Sequence, residues 1–561
     1  MVKERTRAQE SSAAIEKLYV TMRHLFNRGF YKPSGISGFA LKNGLLSLRP
    51  EIYGSIADPD KVELDGLVYV IDRLPEGIEE CRFINLTSDE GFSKSHFEVI
   101  YPSKRRRNCY RIDNEQMNIE ITRGRSEIYD ILTHLTFLFH EAEKIRKRAV
   151  VNKEGKTIRE WNKIEDIVLN NKKLSGKHRE IALTHLASLL GRSFEEVLNT
   201  YQELATKDKP ERFIHIMYWL GKLSIDEVLE DKKREISFNA ILRESIGHHL
   251  HGELWSNAIK KELIKRNLFN RPIHVISANM HSVMNLLYSR KALPAIAKNT
   301  KGIDFFVELS KDKNSDYRSK VKDLALKSGM YYIEDKSGSN INVQIFDTAK
   351  VDFSNVPCDC NASDKKNAPV FIVMDYAFGE QAFEAMDELL KPYKDSEGSK
   401  HLMNIKSISI MGKAGILEGG KGDIMIPDAH IFEGTADNYP FENSLKVEDF
   451  KDSGLGVYSG PMISVLGTSL QNKDILRFFN KSSWEVIGLE MEGAHYQKAI
   501  QAASKIRKSI AEDVKLRYAY YASDNPLETG STLASGGLGH QGVLPTYKIT
   551  EKILEQIFSQ E

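Results

Sequence analysis

Apolar residues recur at helical spacing through the first half of this chain. In the second half they gather into short, nearly continuous runs set between helical stretches. Residues 13–20 open an amphipathic helix that continues toward Phe26, with apolar positions returning every three to four residues. Between Leu67 and Thr122 the period shortens. Leu67-Val68-Tyr69-Val70-Ile71, Phe97-Glu98-Val99-Ile100-Tyr101 and Met117-Asn118-Ile119-Glu120-Ile121 read as strands, rich in the β-branched and aromatic types that suit a pleated surface. Ser126 is placed as the N-cap of a helix running to Arg148, because its hydroxyl can accept from a first-turn amide. Helical periodicity then fills residues 181–190, 213–223 and 238–264.

From about residue 271 strands alternate with helices. Ile273-His274-Val275-Ile276-Ser277-Ala278 is a strand and residues 280–288 a helix. Val370-Phe371-Ile372-Val373-Met374-Asp375 is a second strand, followed by Gly379 and a helix over 381–390. A third covers 405–411 and ends at Gly412, and strands at 424–426, 456–459, 485–489 and 516–522 complete the set. Such alternation predicts a mixed, twisted sheet flanked by helices, an α/β domain. Residues 311–364 read as a polar, irregular insertion. The expected organisation is a mainly helical N-terminal domain, 1–270, with a small β insertion, fused to an α/β domain over 271–561.

Length agrees with two domains, since 561 residues exceed the roughly 250–300 at which single cores stop growing. Lysine and arginine (79) balance aspartate and glutamate (78), so no global field points to nucleic acid or a membrane surface. The apolar share is 41% without a run long enough to span a bilayer. Met1-Val2-Lys3-Glu4-Arg5 is charged, with no apolar signal segment behind it. Four cysteines in this length argue against a disulfide scaffold and for a reducing, cytoplasmic setting.

The candidate chemistry sits at strand ends, where open α/β sheets hold their ligands. Val486-Ile487-Gly488-Leu489 runs into Glu490-Met491-Glu492-Gly493-Ala494, and Tyr520-Tyr521-Ala522 delivers Ser523-Asp524-Asn525-Pro526. On extended backbone Glu490 and Glu492 point the same way, and a carboxylate can accept two hydrogen bonds from a vicinal diol. The competing reading is a helix start whose acids favour the macrodipole. An aspartic acid with its pKa raised by partial burial, at Asp524, can donate a proton to a leaving group; its alternative is an Asx turn before Pro526. Met411-Gly412-Lys413-Ala414-Gly415-Ile416, with Gly422-Asp423-Ile424 nearby, supplies a glycine turn over which a ligand could meet the backbone.

Taken together, and with the Ser459-Gly460 strand end, these segments resemble the nucleoside phosphorylase/nucleosidase superfamily of purine type over the last half of the chain. The long N-terminal extension and the Ser523-Asp524-Asn525-Pro526-Leu527 loop look most like bacterial AMP nucleosidases. The resemblance implies that Glu492 holds the ribose hydroxyls, Met491 packs under the sugar, and Asp524 protonates or hydrogen-bonds the purine N7 with support from Ser523. It implies Glu490, Gly412, Lys413, Gly415 and Ile463 as further substrate-binding residues. It also implies a purine nucleotide or nucleoside as ligand, inorganic phosphate as a second candidate, no cofactor, no metal, and a homo-oligomer. Three departures are visible. The first strand leads to Asn279-Met280-His281, without the family's water-activating glutamate, for which His281 is a substitute. Lys413 replaces a small hydroxyl residue. Phe378-Gly379-Glu380-Gln381 puts an acid where a phosphate would bind a helix start, which favours hydrolysis over phosphorolysis. A purine nucleoside phosphorylase, or a pocket kept for nucleotide sensing without turnover, is the alternative.

Four other clusters carry candidate chemistry. Lys104-Arg105-Arg106-Arg107 with Arg123 and Arg125 is either an anion site or a solvated basic loop. His140-Glu141 and His248-His249-Leu250-His251 lack metal-site spacing, and Cys358-Asp359-Cys360 has no second pair to complete a zinc site.

Overall fold

In the computed structural model, which describes residues 5–88, 91–361, 365–528 and 538–559, the chain divides into two units. The first holds residues 1–248 and 469–475, the second 249–468 and 476–561.

In the first unit, Thr6 and Gln9 form a reciprocal capping box that starts α1 (Arg7–Arg28), and α2 (Ile36–Leu48) follows. α3 (Leu64–Ile71) occupies the segment expected to be a strand. Its apolar side chains explain the correction: Leu64, Leu67, Val70 and Ile71 are buried at helical spacing, and Glu63 caps the start by accepting from the Gly66 amide at 3.2 Å. α4 (Gly124–Ala149) begins with Arg123 as its N-cap, ahead of Ser126. The Glu127 carboxylate takes the amides of Thr122 (2.9 Å) and Arg123 (3.0 Å), which draws the start two residues upstream of the expected cap. The remaining helices are α5 (Arg159–Leu169), α6 (Gly176–Leu190), α7 (Phe194–Leu204), α8 (Arg212–Leu229) and α9 (Ala240–Gly247).

The β part of this unit is more than a local insertion. It is a six-stranded sheet built from β1 (Phe30–Tyr31), β2 (Phe83–Thr87), β3 (Val99–Ile100), β4 (Cys109–Arg111), β5 (Gln116–Glu120) and β6 (Glu235–Phe238), in the order β1-β6-β2-β5-β4-β3. β2 runs parallel to β5 and β6, so distant segments are sewn into one sheet. Two of the four residues of the basic run are committed to carboxylates. Arg105 pairs with Asp130 at 3.0 Å, and Arg107 with Glu127 (3.0 Å) and Asp130 (3.1 Å).

The second unit begins earlier than the change near residue 271. α10 (Leu250–Lys265) belongs to it, because Trp255 donates to the Ile341 carbonyl and Lys260 to that of Glu388, both at 2.8 Å. The helical stretch over 238–264 is thus broken, with His249 at φ 55° between α9 and α10. There follow β7 (Ile273–Ser277), α11 (Ser282–Ala292), α12 (Pro294–Asn299), α13 (Gly302–Ser310), α14 (Ser315–Lys327), β8 (Met330–Ile333), β9 (Val343–Asp347) and β10 (Val370–Met374). α14, β8 and β9 lie inside the segment read as irregular. Their buried apolar positions are few: Val321, Ala325, Met330, Val343, Ile345 and Phe346. The end of that segment, Asp364, lies outside the described residues.

After α15 (Gln381–Leu389) come a small hairpin, β11 (Tyr393–Lys394) with β12 (Lys400–His401), then β13 (Ile405–Ile416), β14 (Ile424–Phe432), β15 (Asn438–Pro440) and β16 (Val457–Ser464). α16 (Lys473–Lys481, whose first three residues are counted with the first unit), β17 (Gly488–Glu490), α17 (Gly493–Gln501), β18 (Lys515–Asp524) and α18 (Val543–Phe558) complete it. The ten-stranded sheet runs β15-β14-β16-β17-β13-β7-β10-β9-β8, with β18 paired to β13 and β14. One face buries Ile408, Ile410 and Tyr518 with residues of α10, α15 and α17; the other buries Met411, Phe371 and Ala519 with residues of α11, α14 and α18. Among the described residues no helix is long and apolar enough to cross a membrane.

Candidate active site

The strand β13 is the floor of the site, and it corrects the expected glycine turn. Gly412, Lys413, Ala414 and Gly415 continue the strand, held in parallel register with Tyr520, Tyr521, Ala522 and Asp524 of β18. Two strand neighbours supply the tie that a turn would have lacked. Gly415 faces Leu489 of β17 on one side and Asp524 on the other. The two acid-bearing strand ends therefore flank a glycine-containing stretch, with Leu489 and Asp524 about 10 Å apart, two strand spacings. A Cβ on Gly412 would come within 3.6 Å of the Tyr376 ring. Tyr376, just past β10, thus stands over this floor while 37% exposed.

Asp524 is 1% exposed. Ser523 Oγ lies 2.5 Å from its Oδ1 and 3.0 Å from the Ala414 carbonyl oxygen. Its Oδ2 is buried without a hydrogen-bond partner among the described residues. Burial pushes the Asp524 carboxyl above the usual carboxylate value, while Ser523, Lys413 and Lys421 pull it back. The following loop is an Asx turn in which Asn525 Oδ1 accepts from the Leu527 amide at 3.0 Å. So the turn reading and the buried acid coexist, on neighbouring residues. Lys413 is exposed, on the strand row of Tyr521.

Glu490 and Glu492 divide their work. Glu490 is buried, and its oxygens take the amides of Glu492 (2.5 Å) and Gly493 together with the Ser464 hydroxyl. Ser464 Oγ in turn accepts from the Ala494 amide at 2.8 Å. The helix-start role open to both acids falls to Glu490, whose pKa burial raises to about 7. Both its oxygens are engaged within the fold, which leaves them committed to positioning α17. Glu492 reaches across instead: its Oε1 accepts from the Gly379 amide at 2.9 Å, ahead of α15. Met491 packs partly buried against a satellite core of Leu417, Ile431, Ile463 and Leu489. Ile463 itself is fully buried there.

Other groups at this end of the sheet were not singled out by sequence. Asp375 is half-buried after β10, its Oδ1 accepting from the Tyr376 amide at 2.8 Å. The acid and aromatic at a strand end were the available signal. Asp375 raises the basicity of His281, while burial, the larger effect, lowers it. Asn279 is spent as a cap, its Oδ1 taking the amides of His281 (3.0 Å) and Ser282 (2.8 Å). Ser464 carried no sequence signal. Of the histidines weighed as metal ligands, His249 gathers with Asp387 and Glu388, their ligand atoms within 4.8 Å of one another. Lys391 (2.5 Å from Glu388) and Arg507 (2.7 Å from Asp387) already neutralise those acids.

Residues 40–324 and 304–559 match a family of unknown function, DUF6909. The chain belongs to this family. No curated protein matches it in sequence. Among solved structures it is similar to the Campylobacter jejuni 5'-methylthioadenosine/S-adenosyl homocysteine nucleosidase, at 11% identity, covering 52% of this chain and 100% of that one with a TM-score of 0.30. It is likewise similar to native futalosine hydrolase of Helicobacter pylori, at 11% identity, 51% and 98% coverage and a TM-score of 0.29. A third is the Streptococcus pneumoniae MTA/SAH nucleosidase in complex with 8-aminoadenine, at 11% identity, 51% and 99% coverage and a TM-score of 0.29. Within this DUF6909 chain, both acid-bearing strand ends fall in the second matched segment.

Proposed function

We propose that the second unit hydrolyses the N-glycosidic bond of a purine nucleotide or nucleoside, with AMP the favoured substrate. The observation that carries this reading is Asp524: a buried carboxyl with a raised pKa and an Oδ2 that has no hydrogen-bond partner among the described residues. It stands in strand register across Gly415 from the segment that carries Glu492. Cleavage of such a bond passes through an oxocarbenium-like sugar and a departing base, so the site must stabilise positive charge and neutralise the base. Asp524 gives its proton to the base, and Ser523 keeps it oriented. Glu492 accepts from the ribose hydroxyls, Met491 packs under the sugar, and Tyr376 offers a ring above the glycine floor. Glu490 acts through α17 as a positioning residue.

Hydrolysis is favoured over phosphorolysis by the α15 start. The Gly379 amide that would meet an anion there is occupied by Glu492, and Glu380 beside it adds negative charge. His281, coupled to Asp375, is the candidate group for activating water. Exposed Lys413 is the candidate ligand for a 5′-phosphate.

Incubation with AMP, adenosine and methylthioadenosine, with and without inorganic phosphate, tests the proposal. Base release with free ribose 5-phosphate, independent of phosphate, is expected. Ribose 1-phosphate formed only with phosphate present would make the enzyme a phosphorylase. Tight nucleotide binding without turnover would leave a sensing module.

A further inference from the structure

Between β9 and β10 the chain passes through Asn355-Val356-Pro357-Cys358-Asp359-Cys360, and a disulfide joins Cys358 to Cys360 across a sequence separation of 2. The cysteines are unequal. Cys360 is 6% exposed and belongs to the core beneath α11 and α18, whereas Cys358 is only partly buried at its edge. Asp359 between them is exposed.

A cross-link this short does little for the fold. The entropy that a disulfide removes from the unfolded chain grows with the logarithm of the loop it closes, and this loop is minimal. The backbone is also held locally without it, since the Cys360 amide donates to the Cys358 carbonyl at 2.8 Å. Cys81 and Cys109 provide a contrast within the same chain. Both are buried free thiols, and burial pushes Cys81 up to about 12 and Cys109 well above its usual value. Neither offers a thiolate near neutral pH. Thiol–disulfide chemistry is therefore left to the 358/360 pair, one cysteine partly exposed and the other buried.

We propose that Cys358 and Cys360 form a reversible dithiol–disulfide site that exchanges with low-molecular-weight thiols and disulfides of the glutathione class. In the oxidising direction the Cys358 thiolate attacks one sulfur of the small disulfide, forming a mixed disulfide and expelling one small thiolate. The Cys360 thiolate then attacks the Cys358 sulfur, breaking the mixed disulfide and expelling the second. Two electrons pass from the protein pair to the small disulfide. The two protons given up by the cysteines end on the two small thiols. Reduction is the same path reversed. The site stands on its own atoms and does not depend on the nucleosidase reading.

The full-length native protein is equilibrated in glutathione buffers of graded reduced-to-oxidised ratio, quenched with a thiol-alkylating tag, and mapped by peptide mass. The peptide carrying residues 358–360 is expected to gain two tags together, its reduced-to-oxidised ratio changing tenfold for every ~30 mV of buffer potential. Cys81 and Cys109 should take tags only after denaturation. Cys360→Ser, which removes the resolving thiol, is expected to hold one glutathione on Cys358, released by excess thiol. The proposal is overturned if the native peptide stays untagged in excess dithiothreitol. It is equally overturned if the peptide carries both tags at every ratio, or if Cys360→Ser acquires no glutathione.

Discussion

At the scale of the residue, the proposed cleavage turns on Asp524. A carboxyl serves as a general acid only while it holds its proton, and a buried one holds it to higher pH. Asp524→Asn should therefore lower kcat by about 10²–10⁴-fold, with the circular dichroism spectrum unchanged. The sign of the pH dependence follows. Because burial raises the Asp524 pKa, the protonated fraction, and with it kcat, declines as pH rises through that raised value. Lys413 pulls in the opposite sense, so Lys413→Ala should carry the alkaline limb to higher pH. A wild-type profile flat across that limb, or a limb unmoved by the lysine variant, would remove Asp524 from the role of acid.

At the scale of the element, the β17–α17 junction sets where Glu492 points. α17 starts hard against the buried ring of His430, and a Cβ at Gly493 would lie 2.3 Å from that ring's Cδ2 and Nε2. Gly493→Ala must displace the ring or the helix start, at a cost of about 1–3 kcal/mol as for other overpacked cores. The expected result is a lower urea midpoint together with reduced turnover, since the Glu492 to Gly379 bond moves with the helix. A variant of wild-type stability would show that the junction yields freely. The same junction shows why the site was partly legible. Glu490, Glu492 and Asp524 follow apolar runs, and an acid after such a run can be seen without coordinates. Which of the two glutamates would be buried could not be seen, because Ser464 comes from β16, distant in sequence but adjacent in the sheet. Gly412 read as a turn because glycine and lysine interrupt an apolar run; pairing with β18 along the whole stretch keeps it a strand. In α3 the cluster of valine, tyrosine and isoleucine suggested a strand, and tertiary burial of one helical stripe prevailed.

At the scale of the whole molecule, buried ionisable groups in both units should shape stability against pH. Glu79 and Glu141 in the first unit, with Glu490 in the second, are raised by burial from 4.5 to about 7, and Glu433 to about 8. Each binds its proton more tightly in the native than in the unfolded chain, so its contribution is full below about 4.5 and lost as pH rises through the folded value. Buried histidines work the other way. His140 and His495 are lowered from 6.5 to about 4, and His134, His274 and His430 to about 3. Their contribution is full above 6.5 and lost as pH falls, so below 6.5 the two classes oppose each other. Above 6.5 these five histidines are neutral in both states while the glutamates still change, and His249, raised above 6.5 by its bond to Glu388, changes in the same direction as the glutamates. Lys260, lowered from 10.5 to about 8, adds an opposing rise only from about pH 8 upward. Stability should therefore decline from pH 6.5 toward 8, read as a falling urea midpoint at fixed ionic strength. Glu433→Gln, which removes the group titrating highest, should make that descent shallower. A midpoint that rises across this window would mean that the buried glutamates are already ionised in the native protein.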